Sequence, residues 1–214
     1  FWQTWFEESQ FIGFGNLPTT NQIGNAQLDK ANQYYLGNNL NKDYSKALEL
    51  YKKAASNGID EANFSLGLMH HYGKGKLVSY EEAYDYYYKS ALNNNPEAQF
   101  NLGLMERYGL GRPINLENAF NWFKKSSRQQ VSKNRYQCEA LRVGLVEAQY
   151  NLAQMYHYGL GTQKNLTYAA MLYEIAAEQG MKEAQFNIAQ ILHYGPDEFL
   201  NYEKAYDWYQ KAAN

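Results

Sequence analysis

AQFNLGLMERYGLG, residues 98–111, returns fifty residues later as AQYNLAQMYHYGLG, residues 148–161. Self-similarity at a fixed period is the mark of a repeat architecture, so its extent is the first question. Taking the opening alanine as offset zero, equivalent alanines are Ala26, Ala62, Ala98, Ala148 and Ala184, at spacings of 36, 36, 50 and 36. A glycine stands at +11 in every unit: Gly37, Gly73, Gly109, Gly159 and Gly195. A second alanine stands at +21: Ala47, Ala83, Ala119, Ala169 and Ala205. Five units sharing three offsets define five copies of one structural element.

Each copy reads as two helices. The first runs from just before its anchor to the +11 glycine, where a left-handed residue closes a helix at low steric cost. The second carries its own apolar stripe, as in LENAFNWFKKSS, residues 116–127. Gly58, Gly144 and Gly180 lie four residues before the next anchor and are expected to end the second helix, with Asn94 in the same slot before Ala98. Small residues at the anchor, at +5 (Gly67, Gly103, Ala153, Ala189) and at +21 let helix backbones approach closely. Leu66, Leu102, Leu152 and Ile188 at +4, Met69, Met105 and Met155 at +7, and aromatic pairs at +24 and +25 fill the remaining space. The expected fold is all-α: a right-handed α-solenoid of about five helix–turn–helix repeats.

The pattern A-Q-x-x-L-G-x-M-Y-x-x-G-x-G, then K-A with an aromatic pair, then A-A-x-x-G, resembles the Sel1-like repeat, a relative of the tetratricopeptide repeat. Unit four matches best, with AQYNLAQMYHYGLG and YAAMLYEIAAEQG. Unit one departs most, with Lys30 where leucine is expected. The array spans 25–214, and residues 1–24 read as an aromatic N-terminal capping segment, an orphan second helix or the end of a further repeat. Because the chain starts at Phe1 rather than Met, the expectation is a trimmed or mature chain. Unit three carries 14 extra residues (50 − 36), within RQQVSKNRYQCEALRV at 128–143. This locally basic stretch is either a tolerated surface insertion or a partner-specific contact element.

Composition narrows the function classes. A net charge of −2 and a pI near 6.1 supply no basic field for nucleic acid. No apolar run is long enough to span a membrane. Cys138 is the single cysteine, so no disulfide forms within the chain. The four histidines, His70, His71, His157 and His193, sit at +8 or +9. Equivalent positions in stacked repeats are about 10 Å apart, whereas metal ligands must sit about 2 Å from one ion, so no metal or cofactor is expected. No nucleophile–base spacing or phosphate loop is present; YGKGK at 72–76 falls in the inter-helix turn.

At 100° per residue, offsets 0, +4, +7, +8 and +11 share the packed side of the first helix and +2, +6 and +9 the opposite side. The resemblance implies that first helices line a concave groove holding a protein or peptide. Its expected contacts are Phe64, Leu68 and His71 in unit two, Phe100, Leu104 and Arg107 in unit three, Tyr150, Gln154 and His157 in unit four, and Gln190 and His193 in unit five. The +2 aromatics, Phe186 included, either floor this groove or pack between adjacent first helices. The resemblance further implies a noncatalytic role in bacteria, as an adaptor, a secretion-system regulator or an immunity protein that neutralises a toxin, in the periplasm or exported. The alternatives are a β-lactam-binding or hydrolysing enzyme of the cysteine-rich type, which the lone cysteine disfavours, and the repeat part of a larger protein.

Overall fold

The computed structural model describes residues 19–128 and 144–214, all helix and turn. Residues 1–18 of the expected capping segment and the insertion from Gln129 to Val143 lie outside the described residues. Ten α-helices follow in order among the described residues: α1 Thr20–Leu36, α2 Tyr44–Ser56, α3 Asp60–Tyr72, α4 Tyr80–Leu92, α5 Pro96–Tyr108, α6 Leu116–Ser126, α7 Gly144–Tyr158, α8 Leu166–Glu178, α9 Lys182–Tyr194 and α10 Tyr202–Ala213. None is long and apolar enough to cross a membrane. The chain divides into two compact units, one ending at Ala62 and one running Asn63–Asn214.

One pair of hydrogen bonds recurs in the inter-helix turn of all five repeats. The residue at +17 is Asp43, Ser79, Asn115, Asn165 or Asn201, and each caps its second helix by accepting from the backbone N–H three residues on. Each such cap is worth about 1 kcal/mol. The N–H of the same residue donates back to the carbonyl at +8: Asp43 to Tyr34, Ser79 to His70, Asn115 to Glu106, Asn165 to Tyr156 and Asn201 to Leu192, at 2.8–3.0 Å. One residue thus starts the second helix and ties it to the end of the first.

The +11 glycines Gly37, Gly73, Gly109 and Gly159 are left-handed, with φ of 66–79°. Gly195 departs from that expectation, with φ −71° and ψ −179°. The reason is Pro196, whose ring pushes the preceding residue into extended backbone. Gly58, Gly180 and Asn94 close second helices in the left-handed region, as read from sequence. Gly144 does not: it opens α7. Helices α3, α5 and α9 begin two residues before their anchors, the position Val146 holds in α7, so α7 starts two residues early; Val146 itself packs against the core of the last two repeats.

In the first unit, α1 buries Gly24, Leu28 and Ala31, and α2 buries Ala47, Tyr51 and Ala54. Ala26 and Lys30, at the anchor and +4, are exposed. In later repeats these offsets pack on the preceding second helix: Ala98 and Leu102 sit with Ala83, Tyr87 and Ala91, and Ala184 and Ile188 with Ala169, Tyr173 and Ala177.

The second unit is held by the same columns. Anchor and +21 alanines are almost completely buried, and the +7 methionines with them. The closest backbone approach is at +13. A Cβ on Gly161 would lie 2.1 Å from the Leu116 carbonyl oxygen, and one on Gly111 would lie 2.5 Å from that of Tyr80. Both glycines are also left-handed. Gly180 is left-handed with open space around it.

Comparison of two alanine substitutions separates these effects. Gly180→Ala carries only the left-handed penalty, about 1–2 kcal/mol. Gly161→Ala adds a backbone clash and should cost roughly 1–3 kcal/mol more by urea denaturation. Equal costs would mean that this close approach does not constrain the fold.

Candidate first-helix contact face

Four columns of the first helices matter in the second unit: +2, +6, +9 and +10. The +2 rings pack inside each repeat against the +25 ring of its second helix. Centroids are 5.8 Å apart for Phe64–Tyr87, 5.8 Å for Phe100–Phe123, 5.7 Å for Tyr150–Tyr173 and 5.8 Å for Phe186–Tyr209. Phe64 is 3% exposed and presents no surface, whereas Phe186 is 47% exposed. The +2 column is therefore a brace between the two helices of a repeat, and a groove floor of four equivalent rings is not what the structure builds. Sequence periodicity puts these residues on one face, but it does not show that the second helix folds beneath them.

The +9 residues lie over the same +25 rings: His71 is 6.1 Å from Tyr87, His157 6.0 Å from Tyr173 and His193 6.0 Å from Tyr209. Repeat three replaces both partners, with Arg107 at +9 and Phe123 at +25. His71, Arg107, His157 and His193 are all half-buried. At +6, Leu68, Leu104 and Gln154 are half-buried and Gln190 is exposed. Leu104 packs with Phe100 against a cluster of Phe123, Leu152 and Met155.

Arg107 and Gln154 are brought together across repeats. Arg107 Nη1 donates to Asn151 Oδ1 at 2.8 Å and to Gln154 Oε1 at 2.9 Å. Gln154 Nε2 donates to the Tyr150 hydroxyl at 3.0 Å, and Asn187 Nδ2 donates to it at 3.3 Å. The network runs through repeats three, four and five. Asn151 and Asn187, both at +3, lie outside the columns that the helical angle singles out, although asparagine at this offset in three successive repeats is a visible signal.

A second column that the helical angle passes over is +10. Tyr72, Tyr108, Tyr158 and Tyr194 are 59–74% exposed. Each lies against its +9 neighbour: His71–Tyr72 at 4.8 Å, His157–Tyr158 at 4.5 Å, His193–Tyr194 at 3.9 Å and the Arg107 guanidinium over Tyr108 at 5.4 Å. The signal in the sequence is the tyrosine preceding each +11 glycine in units two to five.

His70 belongs to a different environment. It is buried at the turn, with Nδ1 3.0 Å from Glu82 Oε2, and Lys76 of the YGKGK stretch pairs with the same carboxylate. Among the described residues, no group of three His, Cys, Asp or Glu side chains is placed to hold a metal ion. On the second-helix side, a concavity of about 530 Å³ is lined by Tyr84, Tyr88, Glu106, Trp122 and Lys125. The Tyr84 hydroxyl donates to Glu106 at 2.6 Å, and burial and that carboxylate push the phenol up.

A family model described as Sel1 repeat matches residues 26–59, 60–95, 96–131, 146–181 and 182–214. None of the curated proteins matches significantly. Among solved structures, the chain resembles a Sel1 repeat protein from Oxalobacter formigenes at TM-score 0.77 and 24% identity, covering 99% of this chain and 80% of that one. That likeness establishes the fold. It also resembles c5321, a protective antigen of uropathogenic Escherichia coli with an SLR fold, at TM-score 0.49 and 26% identity, over 89% of this chain and 53% of that one. Immunity protein PA5088 from Pseudomonas aeruginosa follows at TM-score 0.49 and 21% identity, over 99% and 81%. The last two likenesses are too loose to inform this chain's role.

Burial pushes His71 and His157 below the ordinary histidine value of 6.5, and Lys164 adds to the effect at His157. The unfolded chain therefore binds more protons than the folded one just below pH 6.5. Their contribution to stability is complete above that value and is lost as pH falls through and below it. The thermal midpoint, followed by circular dichroism, should fall between pH 7 and 5.5, and fall less in His157→Phe. An unchanged slope in that variant would assign the acid sensitivity elsewhere.

Proposed function

The chain belongs to the Sel1 repeat family, and on that premise we propose that it is a noncatalytic module that binds a protein or peptide partner on the exposed face of its first helices. One observation carries this reading: the tyrosine repeated at +10, solvent-exposed in four successive repeats and lying against its +9 neighbour. A tyrosine already held against an imidazole or guanidinium loses little rotamer freedom on contact, and it offers both an apolar body and a hydroxyl. Aromatic anchors of this kind carry much of the energy of protein interfaces. At +6 leucine in repeats two and three gives way to glutamine in repeats four and five, and at +9 arginine replaces histidine in repeat three, while the packed columns barely change. A surface that differs from rung to rung on an invariant frame suits recognition of one extended partner. Adaptor, secretion-regulatory and toxin-neutralising roles are all contact functions of this type.

The test is a paired substitution. Tyr72, Tyr108, Tyr158 and Tyr194 are changed to serine together, against a control with exposed Tyr168 and Tyr206 of the second helices changed likewise. A partner captured from native extract is then purified and its affinity measured for each. The first set should bind at least tenfold more weakly with the helical spectrum unchanged, and the control within twofold. Equal losses in both, or β-lactam turnover by the purified chain, would overturn the reading.

A further inference from the structure

We propose that Arg107 is the charged anchor of this face and that it takes a carboxylate side chain, Asp or Glu, of an acidic segment in the protein partner. The inference rests on the contact-face reading above and names the chemistry of what binds there.

Charge comes first. Columns +3, +6, +9 and +10 of repeats two to five hold sixteen residues, of which Arg107 is the one with a permanent charge, and none is a carboxylate. Arg107 pairs with no acid among the described residues. The guanidinium therefore keeps its full charge uncompensated by any acid on this face.

The hydrogen bonds then say which part of the guanidinium is available. Arginine only donates, so the side-chain oxygens of Asn151 and Gln154 must be the atoms that face it. Their contacts both fall on Nη1 and use both of its hydrogens. The other ends of the two amides are also committed. Asn151 Nδ2 donates to the Glu147 carbonyl at 2.9 Å, and Gln154 Nε2 donates to Tyr150. The guanidinium is thus held by one nitrogen in a fixed orientation, as a positioned group rather than a solvated chain end.

What remains is the edge formed by Nε and Nη2, which has no acceptor among the described residues. That edge presents two parallel N–H groups at the spacing of the two oxygens of a carboxylate, and such bidentate pairs are among the stronger polar contacts. Lysine could donate to both amide oxygens but could not present the planar fork. The Tyr108 ring beside the guanidinium shields the site on one side and leaves the electrostatics unopposed. Repeats two, four and five have histidine at +9, and burial disfavours protonation of His71 and His157, so Arg107 is the permanent charge that selects the partner's register.

The experiment uses the whole chain labelled for nitrogen NMR of arginine side chains. Three short peptides serve as probes: a blocked peptide with two adjacent glutamates, its glutamine counterpart, and an alanine peptide with a free C-terminus. The glutamate peptide should shift the Arg107 Nε–H signal saturably, at least fivefold more tightly than the glutamine peptide, and less at high salt. Arg107→Gln should abolish the effect, and Arg107→Lys should weaken it although the charge is kept. Equal shifts from the glutamate and glutamine peptides would overturn the proposal. A response only to the free C-terminus would replace the acidic side chain by a chain end and overturn it too. The two readings fail separately. If the tyrosine set loses the captured partner but Arg107→Gln binds it fully, the face stands and the carboxylate inference falls. If glutamate binds at Arg107 while the tyrosine set still holds the partner, the reverse holds.

Discussion

One backbone hydrogen bond recurs in all five repeats and the rest of the structure depends on it. The N–H at +17 reaches back over the turn to the carbonyl at +8, while the side chain of the same residue caps the second helix. The bond sets where the second helix begins and from which side it folds down on the first. Only then do the anchor, +5 and +21 small residues coincide, and only then can the +25 ring slide beneath the +2 ring. The left-handed glycine at +11 makes the turn feasible, but Gly195 shows that it is not indispensable. There the backbone is extended, and the N–H of Asn201 still finds the Leu192 carbonyl at 2.9 Å.

Packing between the repeats of the second unit follows from the same geometry. The anchor, +4 and +7 residues press on the second helix of the preceding repeat, and the +13 glycines bring backbone against backbone. Those columns tolerate little variation, because an added methyl group at Gly161 meets a carbonyl rather than a yielding side chain. The first-helix face opposite is freed from such duties. Its residues differ from one repeat to the next, and where repeat three exchanges histidine for Arg107 the tyrosine below becomes Phe123. Arg107 then reaches forward to Asn151 and Gln154, tying its own repeat to the next through polar atoms.

Much of this is legible in the sequence. Fixed offsets disclose the period, the helix pair and the buried columns, since glycine and alanine recur at constant spacing where backbones must approach closely. On the first-helix face, the helical angle groups +2, +6 and +9 but passes over +3 and the exposed +10 tyrosines. Periodicity does not disclose the roles of residues within that face. Phe64 and Phe186 share an offset yet differ in exposure; Phe64 sits in a buried cluster with Tyr87, Ala98 and Leu102, the last two from the following repeat. The +17 caps are hard to see because Asp, Ser and Asn look different as letters and perform one task as acceptors. At Gly144 the register predicts a helix end, and the structure starts a helix there instead.

By itself the sequence determined the architecture, since a repeated pattern of small and large side chains admits one way for successive helix pairs to bury their faces. The tertiary structure decided which exposed residues are braces and which are available. Exposure depends on what the second helix and the next repeat place beside each side chain, and those neighbours lie tens of residues away in the chain. The pairing of Arg107 with Asn151 and Gln154, across 44 and 47 residues, is of that kind. No local spacing encodes it, because the geometry that joins them exists only once the repeats have stacked.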